Sequence, residues 1–273
     1  MDSSSASSLD FYQALAALEW QIDLGADEAI SETPINRFES DGGVGLKDLK
    51  FTKNSNVAPV KEMPEIVQVK QSAPEVAALM AGKVSSLSEL QNAMGVFDLC
   101  ALKEGARQLV FADGNPAARV MIIGEAPGRD EDIEGKPFVG RAGQLLDKMF
   151  DAIDLSRAAE DTSALYITNV VPWRPPQNRD PSGDEIEMML PFLKRHIELV
   201  GPDMLILMGN TACKAVLGKT GITRMRGNWV EAFGLPVMPM FHPAALLRDP
   251  LKKREAWSDL QDIRERLGGS DGH

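Results

Sequence analysis

The chain has 273 residues, 44% of them hydrophobic, enough for one domain of about 150 to 200 residues plus additional segments. No run of about 18 apolar residues occurs, so a membrane span is not expected; two cysteines and three histidines argue against a disulfide framework or an all-cysteine metal site and leave little for zinc. A net charge of −11 would by itself discourage binding to nucleic acid, because phosphate neutralisation needs Lys and Arg.

The N-terminus, MDSSSASSLDFYQALAALEW, carries Asp2 instead of a basic start and lacks the apolar core and cleavage site of a signal peptide, so a cytoplasmic location is expected. Leu9, Tyr12, Leu15, Ala16, Leu18 and Ile22 fall near helical spacing and predict an amphipathic helix over 9–24. That helix reads as a loose appendage or as a docking element for a protein partner or for the rest of the chain. From Gly25 to Ser72 the sequence is polar, scattered with Gly and Pro, and reads as a flexible linker. The division expected is therefore an N-terminal helix and linker over 1–72 and a folded domain over 73–273.

Helices are predicted over Ala73–Val84 and from the Ser85–Gln91 segment, where SLSEL supplies a serine cap. Strands then alternate with helices. The predicted strands are Val120–Ile123, Leu165–Val170, Met204–Met208 and Val237–Met240, and the predicted helices are Gly143–Ile153, Gly183–Val200, Thr211–Leu217 and Arg254–Leu267. This alternation implies an α/β fold, a three-layer α/β/α sandwich around a central, mostly parallel four-stranded sheet.

Charge is unevenly distributed along this plan. Residues 1–70 hold 12 acidic and 6 basic residues, whereas 171–255 hold 12 basic and 9 acidic ones. A DNA-binding face is therefore expected in the second half, from Arg174, Arg179, Arg224, Arg226, Arg248 and Lys252 to Arg254. Ordinary solvated surface charge is the competing reading.

Ligands of open α/β sheets bind beyond the carboxyl ends of the strands. Those ends read Gly124-Glu-Ala-Pro-Gly128, Asn169-Val-Val-Pro-Trp-Arg174, Gly209-Asn-Thr-Ala212 and Phe241-His-Pro-Ala244. The first supplies Glu125, with Asp130, Glu131 and Asp132 further on, as candidates to orient a water or stabilise a cation. Phe138 offers a flat face for a base. The Asn169 amide can both donate and accept, which suits the O4 and N3–H edge of uracil. The His242 imidazole can stabilise negative charge on the O2 of a departing pyrimidine. Singly, each has a plainer reading, as a turn, a cap or a structural histidine; jointly they compose a base pocket.

The blocks GEAPGRDEDIEGKPFVGRAGQLLD (124–147), YITNVVPWRPPQNRDP (166–181) and HPAALLRDP (242–250) resemble those of the family 4, iron-sulfur type, uracil-DNA glycosylases, over roughly residues 95–265. The resemblance implies a water positioned by Glu125 and the backbone of Ala126 next to Gly124, a uracil stacked on Phe138 and read by Asn169, and contact from His242 to uracil O2. It also implies phosphate contacts near Arg174 to Arg179 and around Gly209, and entry of Pro243 to Arg248 into the duplex. The products would be free uracil and an abasic site, and the partner uracil-containing DNA.

The family also resembles itself in four cysteines that hold its cluster. Of these positions the chain keeps only Cys100; Phe97, Trp173 and Met189 stand at the other three. Phe and Trp cannot ligate iron and a Met thioether is a poor substitute, so no iron-sulfur cluster and no other metal is expected, with Cys100 buried and Cys213 packed under a helix. Two other functions fit the same residues: a non-catalytic module that senses uracil or abasic DNA, and a glycosylase for another deaminated base such as hypoxanthine or xanthine.

Overall fold

Four apolar runs, each too short for a helix, form the interior of one sheet. The computed structural model describes residues 72–269; the helix predicted over 9–24 and the linker after it lie outside the described residues. The sheet comprises β1 (Ala112–Gly114), β2 (Val120–Gly124), β3 (Leu165–Asn169), β4 (Met204–Met208), β5 (Val230–Ala232) and β6 (Leu235–Met240), in the order β1-β3-β2-β4-β6-β5. The four central strands β3, β2, β4 and β6 run parallel. Every residue of β2, β3 and β4 is buried, as strands covered on both faces require.

The sheet has six strands where four were expected. The two extra strands are three-residue antiparallel edges, β1 on β3 and β5 on β6. Neither is fully buried on any residue, so neither carries the apolar run by which a strand is recognised in sequence.

Helices cover both faces. One layer holds α1 (Ala73–Gly82), α2 (Leu87–Gly95), the single turn α3 (Leu102–Gly105), α6 (Gly183–Val200) and α7 (Gly209–Leu217), where Leu90, Met189 and Phe192 pack with Met121, Ile123, Leu205 and Leu207. The other holds α5 (Arg141–Asp151) and α10 (Lys253–Gly269), where Leu146, Phe150, Leu260 and Ile263 pack with Val120, Ile122, Ile206 and Met238. Alternate residues of one strand thus serve opposite layers. Short helices α4 (Arg129–Glu134), α8 (Ile222–Met225) and α9 (Pro243–Arg248) lie in the connections.

The serine cap expected in SLSEL forms: Ser86 caps α2, accepting from the Glu89 amide. Ser182 caps α6 in a reciprocal box with Glu185. The connection after β2 leads to β3 on one side, and the chain after β4 goes to the β5–β6 pair on the other. The order therefore reverses between β2 and β4, and the carboxyl ends of both open at this switch point.

Candidate active site

At the carboxyl edge of the sheet a cavity of about 230 Å³ is lined by Glu125, Ala126, Phe138, Asn169, Arg179 and His242, among others. Segments after β2, β3 and β6 therefore meet at one place, as their strand ends predict. Gly124 does not line this cavity; it stands behind it. A Cβ on Gly124 would lie 2.3 Å from Asn169 Oδ1 and 2.5 Å from the Phe138 ring, so glycine lets amide and ring close over the strand end.

Asn169 ends β3 and is 6% exposed. Its Nδ2 has no hydrogen-bond partner, and among the described residues it is the one buried side-chain polar atom in that condition. A buried amide donor without an acceptor costs about 1 to 3 kcal/mol, which a ligand carbonyl would recover.

His242 is the N-cap of α9, and its Nδ1 accepts from the Ala244 amide at 3.1 Å. An accepting Nδ1 carries no proton, so the neutral ring bears its proton on Nε2. Burial first, and the Arg248 charge second, lower its pKa to about 4, so the ring is neutral at physiological pH and offers one N–H donor. The ring stacks on Phe138 with centroids 5.3 Å apart.

Glu125 follows β2 and is partly buried. Its Oε2 accepts from Thr211 Oγ1 at 2.6 Å, a contact from the first turn of α7 that the sequence reading missed. Burial pushes the Glu125 carboxyl above the usual carboxylate range; the Thr211 bond opposes this, Asp180 reinforces it, and Arg248 opposes it again.

Two of the three other acidic residues of this loop, Glu131 and Asp132, accept hydrogen bonds from backbone amides. Glu131 accepts from the amides of Gly128, Val139 and Gly140 at 3.1, 3.1 and 3.0 Å. Asp132 is buried and accepts from the Arg107 amide at 2.8 Å. Asp130 is exposed. A carboxylate that caps its own loop is set by local backbone geometry, which residue type alone does not announce.

The uracil-DNA glycosylase superfamily model matches residues 111–261, the stretch that builds this sheet and cavity. The chain belongs to the uracil-DNA glycosylase superfamily. It is 40% identical to the type-4 uracil-DNA glycosylase of Archaeoglobus fulgidus over 62% of this chain and 87% of that protein. It is 36% identical to that of Sulfurisphaera tokodaii over 67% and 85%, and 38% identical to that of Saccharolobus solfataricus over 62% and 80%. It is thus an enzyme of the type-4 uracil-DNA glycosylase family, whose members usually carry an iron-sulfur cluster.

The residues present do not fit that cluster. Phe97, Cys100, Trp173 and Met189, the four positions at issue, are 0–2% exposed and share one hydrophobic core. Phe97 packs edge-on against Phe192 with centroids 5.3 Å apart. Burial raises the Cys100 thiol above its ordinary pKa, the opposite of what a thiolate ligand needs. Cys213 is likewise buried, with its pKa pushed up to about 12.

The expected DNA face of this glycosylase is sorted by the structure. Arg179 lies at the cavity mouth, paired with Glu185 through two bonds of 2.9 and 2.6 Å. Arg174 bonds Asn178 at 2.7 Å, and Arg248 is exposed at the end of α9. Pro243 is buried as the first residue of α9, so the exposed side chains of that segment are Leu247, 37% exposed, and Arg248. Arg226 is tied to Asp259, which is wholly buried.

Proposed function

We propose that this chain hydrolyses the N-glycosidic bond of uracil in DNA, taking the base out of the helix into the cavity and giving free uracil and an abasic site. The observation that carries the reading is the unpartnered Asn169 Nδ2 in the cavity wall. Uracil presents O4 to such a donor, whereas cytosine presents an amino group, leaving two donors opposed and unpaired.

Each step has a residue. A base inside a duplex is closed to water at its anomeric carbon, and extruding it costs a few kcal/mol. Arg174, Arg179 and Arg248 supply phosphate contacts that offset this cost, and the Pro243–Arg248 segment meets the duplex with Leu247 and Arg248 foremost. Phe138 stacks on the base, and Gly124 leaves room for the ring to do so. His242 Nε2–H donates to uracil O2 as charge gathers on the leaving pyrimidine. A neutral donor suits this role, because it stabilises the anion without surrendering a full proton. Ionised Glu125, with the backbone of Ala126, orients the attacking water and favours the cationic character of the sugar.

We also infer that the chain works without an iron-sulfur cluster. An apolar plug of Phe97, Trp173 and Met189 occupies the positions of three ligands, and packing of that kind supplies the local rigidity that metal bonds would otherwise give.

An oligonucleotide with one uracil, incubated with protein and then treated with alkali, tests the reaction. Cleavage at the uracil is expected; tight uracil-dependent binding with no base release would instead mark a sensing module. Release of hypoxanthine in place of uracil would redirect the substrate. Iron measured on protein purified without air tests the second inference, and about four irons per chain would overturn it.

A further inference from the structure

Phe138 has φ of +54°, in the left-handed region that bulky side chains avoid. Such a conformation persists where the surroundings over-determine it. Two side chains do so from opposite sides. Glu131 takes the amides of Val139 and Gly140. Arg157 takes the carbonyls: Nη1 donates to Pro137 O at 2.9 Å and Nη2 to Phe138 O at 3.0 Å.

The guanidinium is itself held on its remaining edges. Its Nε donates to Asp147 Oδ1 at 2.8 Å, and Nη1 reaches Asp113 Oδ2 at 3.2 Å. Its side chain is 15% exposed. Asp147 belongs to α5 and Asp113 to the edge strand β1, so one arginine ties the Phe138 loop to two rigid elements. Gly143 closes the remaining side, since a Cβ there would lie 1.8 Å from the Phe138 carbonyl oxygen. Arg157 does not line the cavity.

We propose that Arg157 is a positioning residue for the base-stacking ring. It acts through the backbone of Pro137 and Phe138, holding the ring at the angle that faces an extruded base; this rests on the reading of Phe138 as the stacking partner. The planar fork matters, because two successive carbonyls need two donors at fixed spacing, and a lysine ammonium presents a single charged point. A stacking platform displaced by about 1 Å costs up to about a hundredfold in rate, so a residue that never meets the base can set how well the base is held.

The test is a double-mutant cycle of Arg157→Gln and Phe138→Ala. Single-turnover uracil release is measured well below the melting temperature of every variant. Arg157→Gln is expected to slow release roughly tenfold when Phe138 is present and less than about twofold in the Phe138→Ala background, because the two changes remove the same interaction. Equal losses in both backgrounds, or none in either, would overturn the proposal. Arg157→Lys is read on the same cycle if the glutamine variant does not fold, with an intermediate loss expected. A second readout is independent of turnover. The chain has three histidines, and the His242 ring lies against Phe138, so the histidine ring signals in an NMR spectrum report the ring's place. Arg157→Gln should shift the His242 signal and leave that of His196 unmoved. An unmoved His242 signal overturns the proposal, whereas failure of the wild type to release uracil would sink the glycosylase reading alone.

Discussion

Thr211 and Glu125 meet across the gap between the two central strands: the Thr211 hydroxyl, at the start of α7, donates to Glu125 Oε2 at 2.6 Å just beyond the end of β2. Thr211 is 8% exposed, so the bond is shielded from water and strong for its kind. It does two things for the carboxylate. It fixes the rotamer that faces the cavity, and it favours the ionised form against the burial that raises the pKa.

Replacing Thr211 by valine keeps the volume and removes the donor. The Glu125 pKa then rises further, so the acid limb of kcat/KM moves to higher pH, while Asp180→Asn, which removes a pKa-raising neighbour, moves it lower. A pH–rate profile of each variant on the uracil oligonucleotide checks both directions. Coincident profiles would detach the acid limb from Glu125.

Asn169→Ala removes the unpartnered Nδ2 donor that, in the proposed reaction, meets uracil O4. Uracil release should fall by one to two orders of magnitude, the loss typical of one hydrogen bond to a buried polar group. Selectivity for uracil over cytosine should fall with it, and by more than in His242→Ala, because in the proposed reaction His242 meets the O2 that both bases share. Competition between uracil- and cytosine-containing strands measures the ratio.

Phe138→Ala should weaken binding of uracil-containing DNA by about 1 to 3 kcal/mol, the range for one base–aromatic contact. An undamaged duplex, whose bases stay stacked, should lose much less. Fluorescence anisotropy with the two duplexes separates these outcomes; equal losses would assign Phe138 to general packing.

Stability should fall as pH falls from about 6.5 toward 3. His196 and His242 hold lowered pKa values in the folded state, about 3 and about 4, whereas both sit near 6.5 in the unfolded chain. Between those limits the unfolded chain binds protons that the folded one does not, so acid favours unfolding. Glu125 has the opposite sign, since its raised pKa takes stability away as pH rises above 4.5, and it offsets part of the trend. His196 is buried on Tyr166 through a bond of 2.8 Å and stacked on Phe111. Urea melts from pH 7 to pH 4 should therefore show a declining midpoint, and His196→Phe, which keeps the stacking surface, should flatten the decline.

The four central strands and the long helices were legible because each buries a continuous apolar face; α6 runs over Gly183–Val200 as its pattern predicts. The edge strands β1 and β5 were not, because three half-exposed residues carry no periodicity and form only against a partner already in place. Among the residues that line the cavity, Glu125, Asn169 and His242 stand out in sequence because they sit at or just beyond strand ends, where sheet topology sends a ligand, and Phe138 because of its ring in the loop that follows β2. Thr211 and Arg157 were not: both act through contacts 86 and 19 residues away along the chain, and nothing local distinguishes them from a helix threonine or a turn arginine.

By itself, then, the sequence determined the order and type of the buried elements, and hence that four strand ends would open at one edge, because burial and period are properties of neighbouring residues. The tertiary structure alone decided which polar groups face one another. It left Asn169 Nδ2 without a partner, put the proton of His242 on Nε2, turned Glu131 and Asp132 into backbone clamps, and buried Pro243 while exposing Leu247. Hydrogen bonds depend on separations within a few tenths of an ångström between residues far apart in the chain, and only the packed fold sets those distances.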